Sequence, residues 1–326
     1  MRFPEVRLRR LRSTEARRNM FNDIKIHSSQ LIYPLFVDEN IKRLTPISAM
    51  PGQYRHPLDG IQEEVSECVK KGIFNFILFG LPSKKYEHGD SAHDRKGVIQ
   101  EAVQKLKAKW GEKIVVMTDL CLCQYTTHGH CGVVKDGVIL NDVTLDVLGK
   151  IAVSQANAGA DVVAPSAMID GQVKVIRSAL NEAGFSDTII MPYSAKHASC
   201  FYGPFREAAS SSPIFGDRRS YQMDYASSKQ AIREIELDVM EGADIIMVKP
   251  SLAYLDLIVR ASQIHSVPIA AFNVSGEYSM VKAAVMKGWL NEEDAVVEIL
   301  TGIKRSGADL IITYFAKDAS SWLSRL

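Results

Sequence analysis

Eight short apolar runs recur along this chain, each separated from the next by a stretch of helical periodicity, and that alternation confines the fold to a parallel α/β arrangement. The runs lie at 31–37, 74–79, 114–119, 161–166, 188–193, 244–249, 268–275 and 309–315. Helical patterning occupies 60–71, 98–110, 145–158, 172–183, 228–241, 253–263, 279–288 and 292–305. Three of the helical stretches end in Gly-Ala-Asp directly before a strand, at 159–161, 242–244 and 307–309. Glycine there supplies the left-handed residue that stops a helix and turns the chain back to the sheet. Strand–helix alternation implies right-handed crossovers and parallel pairing, and eight repeats predict closure into a (β/α)8 TIM barrel. An open doubly wound sheet is the alternative, but no glycine-rich dinucleotide fingerprint follows the first strand. Residues 31–326 are therefore read as one barrel. Residues 1–30 form an extended N-terminal arm, and a Ser-, Gly-, Pro- and aromatic-rich connection at about 197–227 has the length of a lid.

The chain has 326 residues, is 46% hydrophobic and carries a net charge of +1, so it has no global signature for nucleic acid or a membrane surface. No apolar run reaches the roughly 18 residues of a membrane span. The N-terminus lacks the apolar segment of a secretory signal, which makes the cytoplasm the expected location and leaves the five cysteines reduced or metal-bound. Seven arginines (2, 7, 9, 10, 12, 17 and 18) crowd the first eighteen residues. With no basic excess elsewhere to match them, they fit an arm reaching onto a neighbouring subunit.

In a (β/α)8 barrel the chemistry sits at the C-terminal ends of the strands. Those ends carry Asp119, Ser166, Lys196, Lys249, Ser275 and Tyr314. Pro250 stops its strand just after Lys249, which leaves an amine at the mouth of an apolar site. Desolvation there lowers a lysine pKa and frees a nucleophilic lone pair. A strand-end lysine usually snorkels to solvent; two of them at one rim point instead to imine chemistry on a carbonyl substrate.

Directly after the third strand, Cys121, Cys123 and Cys131 form a C-x-C-x7-C pattern on the same rim. Three thiolates suit zinc and leave a fourth position open, unless His128 or His130 completes a structural site. Cys68 reads as packing, and Cys200 falls in the lid. Within the lid, Tyr202, Phe205 and Arg206 precede Arg218, Arg219 and Gln222. Guanidiniums beside aromatic rings suit a carboxylate, so the inferred substrate is a keto or amino-keto acid.

Together these residues resemble the porphobilinogen synthase (5-aminolevulinate dehydratase) family over nearly the whole chain. The motifs are Asp119-Leu-Cys-Leu-Cys123 with His128-Gly-His-Cys131, Tyr193-Ser-Ala-Lys196, the Phe201–Arg206 and Gly216–Gln222 segments, Met247-Val-Lys249-Pro, and Val274-Ser-Gly-Glu-Tyr. The resemblance implies condensation of two 5-aminolevulinate molecules to porphobilinogen, with loss of two waters, in tetrapyrrole (haem) synthesis. It implies that Lys249 forms the imine with one substrate, whose carboxylate meets Ser275 and Tyr314. Lys196 would take the second substrate, whose carboxylate meets Arg206, Arg218 and Gln222, with Tyr202 and Phe205 lining the site. Asp119 and Ser166 would orient the second amine or move protons. The three cysteines would hold catalytic zinc, where other members have acidic residues and depend on magnesium. Glu234 matches a position that supports an allosteric magnesium in some members, an exposed helical glutamate being the plain alternative. The family also implies a homo-octamer embraced by its N-terminal arms. Two readings compete with this one: a single-lysine aldolase, which needs no zinc, and a non-enzymatic carboxylate-binding barrel, which forms no covalent imine.

Overall fold

The computed structural model describes residues 2–323. Its strands lie parallel around a closed barrel: β1 Leu31–Asp38, β2 Asn75–Leu81, β3 Val115–Leu120, β4 Val162–Pro165, a split β5, β6 Ile246–Lys249, β7 Ile269–Asn273 and β8 Leu310–Thr313. The sequence predicts one strand over 188–193; instead β5 forms two short pieces, Ile189–Ile190 on β4 and Ala195–Lys196 on β6. The four residues between them carry the chain across and close the ring. Met191 and Tyr193 still donate to the carbonyls of Val163 and Pro165, while Ile190 accepts from Asp244. The break falls at Pro192, which has no N–H for a ladder. The second piece sets Lys196 in register with Lys249.

Each Gly-Ala-Asp stop has a structural use that its helix-capping glycine does not explain. Asp161, Asp244 and Asp309 each accept, through the side chain, the N–H of the first or second residue of the preceding strand. These bonds run from Val116 (2.7 Å), Ile190 (2.8 Å) and Ile269 (2.9 Å). The same aspartates return their own N–H to the carbonyls of those three residues. A two-point clip repeated around the bottom of the barrel fixes strand stagger where no catalytic constraint operates.

The barrel helices follow the predicted pattern closely, and Val98–Trp110 and Glu292–Arg305 have the expected bounds. Two helices start earlier than expected: one runs Asn141–Asn157 rather than from 145, and the other runs Ser275–Met286 rather than from 279, where β7 ends at Asn273. For the latter, the cause is Glu277, whose side chain accepts the N–H of Val274 at 2.9 Å and so starts the helix early. The N-terminal residues 2–23 are exposed throughout and carry Phe3, Leu8, Met20 and Phe21 on a surface this chain does not cover. No helix of the described residues is long and apolar enough to cross a membrane.

Replacing Asp309 by alanine leaves the Ile269 N–H without its side-chain partner. We expect a loss of about 1–2 kcal/mol of stability in chemical denaturation, with the substrate KM unchanged. An unaltered denaturation midpoint would count against the clip.

Candidate active site

Lys196 and Lys249 end neighbouring strands, and their Cα atoms are register partners. Both are buried, at 5% and 4% exposure. Their amines share one ring: Lys249 Nζ lies 4.8 Å and Lys196 Nζ 5.3 Å from the centroid of Tyr193. Around Lys249 the rings of Phe272 (4.0 Å), Phe205 (5.1 Å) and Tyr202 (5.4 Å) complete an aromatic enclosure. Below it Phe36 and Phe79, themselves register partners on β1 and β2, stack 5.5 Å apart and meet Tyr314 and Phe272. This floor turns water away from the amines. Burial first, and then the nearby charge of Lys196, bring the Lys249 pKa down to about 7. Lys196 itself donates to the carbonyl of Ser166.

On the other side of the rim, the sulfurs of Cys121, Cys123 and Cys131 lie within 4.8 Å of one another, all buried. Tetrahedral zinc with bonds of about 2.3 Å needs sulfurs about 3.8 Å apart, and the Cys121–Cys123 separation is 3.4 Å. Hydrogen bonds from Cys121 and Cys123 hold the Cys131 thiol well below its usual range, with the Arg218 charge in support. Burial pushes Cys121 up. Cys123 is raised to about 11, so the cluster sets one favoured thiolate beside two soft sulfurs in a dry setting that suits a soft cation. Neither nearby histidine is free to join it. His130 Nε2 donates to Phe215 O (3.0 Å) and its Nδ1 accepts from the Tyr221 hydroxyl (3.1 Å). His128 Nε2 donates to Glu87 O (3.0 Å) and its Nδ1 accepts from the His130 N–H (3.1 Å). Three protein ligands and an open position result. Cys68 lies away from the cluster against Glu64, and Cys200 is exposed.

The lid leaves and returns at one point, where His197 bridges Met223. Its short helix Gly203–Ala208 carries Phe205 and Arg206. Arg55 holds the end of that helix through Ala208 O (2.9 Å) and Glu207 O (2.6 Å). Farther along, the lid zips onto the cysteine loop: Ile214 N–H donates to His128 O (3.1 Å), and Arg218 Nη2 donates to Gly129 O (2.9 Å) and Ser211 O (2.5 Å).

The expected binding residues are gathered on this rim, and several keep polar atoms without partners. Arg206 Nε, Arg218 Nε, both amide atoms of Gln222, and the hydroxyls of Tyr193 and Tyr314 are buried and unbonded. Buried polar atoms are nearly always paired, so such a group marks a place for a ligand. Ser275 differs, for its hydroxyl already accepts from Phe205 N–H (3.0 Å) and approaches Phe201 O (3.3 Å). Asp119 is buried and accepts from Gln124 Nε2 (3.1 Å). Glu234 lies outside the barrel mouth, half-buried beside Asp170 rather than exposed. The aromatic enclosure (Tyr193, Phe272, Phe36, Phe79) was not among the expected site residues. Its one sequence signal is an aromatic at an inward position near a strand end.

Fold and rim together define a (β/α)8-barrel enzyme. A sequence model of the delta-aminolevulinic acid dehydratase family matches residues 5–322. The Archaeoglobus fulgidus delta-aminolevulinic acid dehydratase is 58% identical over 321 residues, 98% of this chain and 99% of that protein. The Bacillus subtilis protein of the same name is 52% identical over 318 residues, 98% of each chain. The Toxoplasma gondii porphobilinogen synthase, solved with its product porphobilinogen, superposes with a TM-score of 0.95 at 42% identity, covering 97% of this chain and 91% of that one. The chain belongs to the delta-aminolevulinic acid dehydratase family of hydro-lyases.

Replacing Cys123 by serine should lower retained zinc, measured by metal analysis after gel filtration, by more than tenfold, whereas Cys68→Ala should leave it unchanged. Equal zinc in both variants would show that the thiol cluster is not the metal site.

Proposed function

We propose that this chain condenses two 5-aminolevulinate molecules to porphobilinogen with loss of two waters, through imines on two lysines beside a thiolate-bound zinc. The observation that carries this reading is the pairing of Lys196 and Lys249 in one aromatic enclosure. A single-lysine aldolase needs neither the second amine nor the thiols, and a mere binding barrel has no use for an amine tuned to about 7.

Neutral Lys249 attacks the ketone of one substrate, and the carbonyl oxygen leaves as water. Tyr314, and Ser275 once its hydroxyl turns from the lid, receive that substrate's carboxylate. Lys196 takes the second ketone in the same way. Arg206, Arg218 and Gln222 supply the unpaired donors for the second carboxylate, and Tyr202 and Phe205 keep water from the ion pair. Asp119, at the edge of the cysteine loop, would hold the second substrate's ammonium or take a proton, and Ser166, whose carbonyl accepts from Lys196, would assist it. When bound, zinc supplies Lewis-acid polarisation of the second substrate's oxygen. For Glu234, burial and the neighbouring Asp170 and Glu241 raise the carboxyl pKa, a setting that a bound magnesium would relieve; we assign it the allosteric metal. The uncovered apolar arm supports subunit embrace in a homo-octamer, and five unpaired cysteines support a reducing, cytoplasmic setting.

Two measurements test the reading. Borohydride with 5-aminolevulinate should attach substrate to Lys249, and Lys249→Ala should lose turnover by at least 1,000-fold, on the order expected when a covalent step is removed. Normal turnover in that variant removes Lys249 from the mechanism. Because Lys249 must be neutral, single-turnover imine formation should be flat above about pH 8 and fall about tenfold per unit well below pH 7. A rate that stays flat down to pH 5 would contradict the lowered pKa.

A further inference from the structure

Glu277 is 1% exposed, yet its carboxylate is held by neutral donors alone. Burying a carboxylate without a countercharge is costly unless its hydrogen bonds are complete. Its place as the third residue of helix Ser275–Met286 explains one bond, the 2.9 Å contact from Val274 N–H. The other bonds reach beyond the helix. Leu252 N–H donates to Oε1 at 2.8 Å, and the Ser251 hydroxyl lies 3.4 Å from Oε2. Both residues directly follow Lys249-Pro250. From the end of β7, Asn273 Nδ2 donates to Oε2 at 3.0 Å, and Asn273 Oδ1 in turn accepts from the Thr313 hydroxyl at 2.9 Å. Thr313 ends β8 and directly precedes Tyr314. One buried carboxylate thus joins three consecutive strand ends, and those ends carry Lys249, Ser275 and Tyr314. The close approach of the lid fixes the same turn from above: a Cβ on Gly276 would fall 2.5 Å from Phe201 O and 2.7 Å from Phe201 Cα.

We propose that Glu277 is a positioning residue, setting the distance between the Lys249 amine and the carboxylate-receiving pair Ser275 and Tyr314, so that one substrate is gripped at both ends. This rests on the reading that Lys249 and that pair hold the same 5-aminolevulinate. The ketone and carboxylate of that substrate are separated by a fixed number of bonds. A drift of the β6 end relative to the β7 and β8 ends therefore misplaces the carbonyl even when the carboxylate is bound, and errors of this size are felt strongly in catalysis. Lys196 stands outside this network, on β5, with its amine on Ser166. The network therefore predicts an asymmetric defect.

The test uses the full-length, zinc-loaded enzyme with 5-aminolevulinate and borohydride, followed by peptide mapping at both lysines. Glu277→Gln keeps the shape but turns an amide NH2 toward donors. We expect labelling of Lys249 to slow at least tenfold while labelling of Lys196 stays within twofold, with kcat lowered as well as KM raised. Ser251→Ala, which deletes one bond, and Thr313→Val, which deletes the bond to Asn273 and the one its hydroxyl accepts from Phe315 N–H (3.2 Å), should shift the same ratio three- to tenfold and carry the test if Glu277→Gln does not assemble. A ratio unchanged within twofold in the assembled variants, even with a lowered Tm, overturns the inference and leaves Glu277 a helix cap. Absence of label at Lys249 in the unsubstituted enzyme overturns both this inference and the imine reading, whereas an unchanged ratio overturns this inference alone.

Discussion

Two ammonium groups cannot both stay charged on adjacent strand ends inside a shell of aromatic rings, and most of the structure follows from that conflict. Register brings Lys196 and Lys249 side by side, and four rings, Tyr193, Tyr202, Phe205 and Phe272, remove the water that would separate their charges. The molecule resolves the conflict by lowering the Lys249 pKa to about 7. A reactive amine is thus the outcome of packing, with no dedicated base beside it. The broken β5 belongs to the same solution, since its second piece is the one that pairs Lys196 with Lys249.

The second half of the site depends on the loop and lid being made for one another. Both rings at 128 and 130 spend their nitrogens on backbone and on Tyr221, so they serve as struts between cysteine loop and lid. Gly129 has φ +72°, and a Cβ there would stand 2.4 Å from Ser212 O, so the two loops approach backbone to backbone. Arg218 crosses the same seam to Gly129. Cysteine loop and arginine-bearing lid are therefore joined along one seam, and a change in either is felt by the other.

The barrel was legible because a strand buried on both faces and a helix stripe leave different periods in the sequence, and because Gly-Ala-Asp punctuates three junctions. The lysines, thiols and arginines were legible as residue types out of place at apolar strand ends. What the sequence hid depends on long-range register. The split of β5 hinges on pairing with two different neighbours. The aspartate clips use a residue that looked like part of a turn. The aromatic floor is built from Phe36, Phe79, Tyr193 and Phe272, each an ordinary strand residue until the barrel closes. Glu277 was visible only as one letter of a motif, since its partners at 251, 252 and 273 lie in segments that meet only in space. Ser275, expected at a substrate carboxylate, braces the lid in this structure, which ties lid position to that half of the site.

The unpaired polar atoms give the site its direction. A folded chain seldom leaves buried donors without acceptors, and at this rim such atoms fall on Arg206, Arg218 and Gln222 on one side and on Tyr314 on the other. Burial and the charge of Arg218 together press the Arg206 pKa downward, so the two guanidiniums repel one another. A carboxylate placed between the two guanidiniums relieves that repulsion and satisfies the idle N–H groups at once. The opposite side offers hydroxyls in place of cations, so on the proposed reading the two chemically identical substrates meet unequal receptors. That inequality is what an asymmetric condensation requires: one carboxylate is held by charge beside the metal, the other by neutral groups beside the tuned amine.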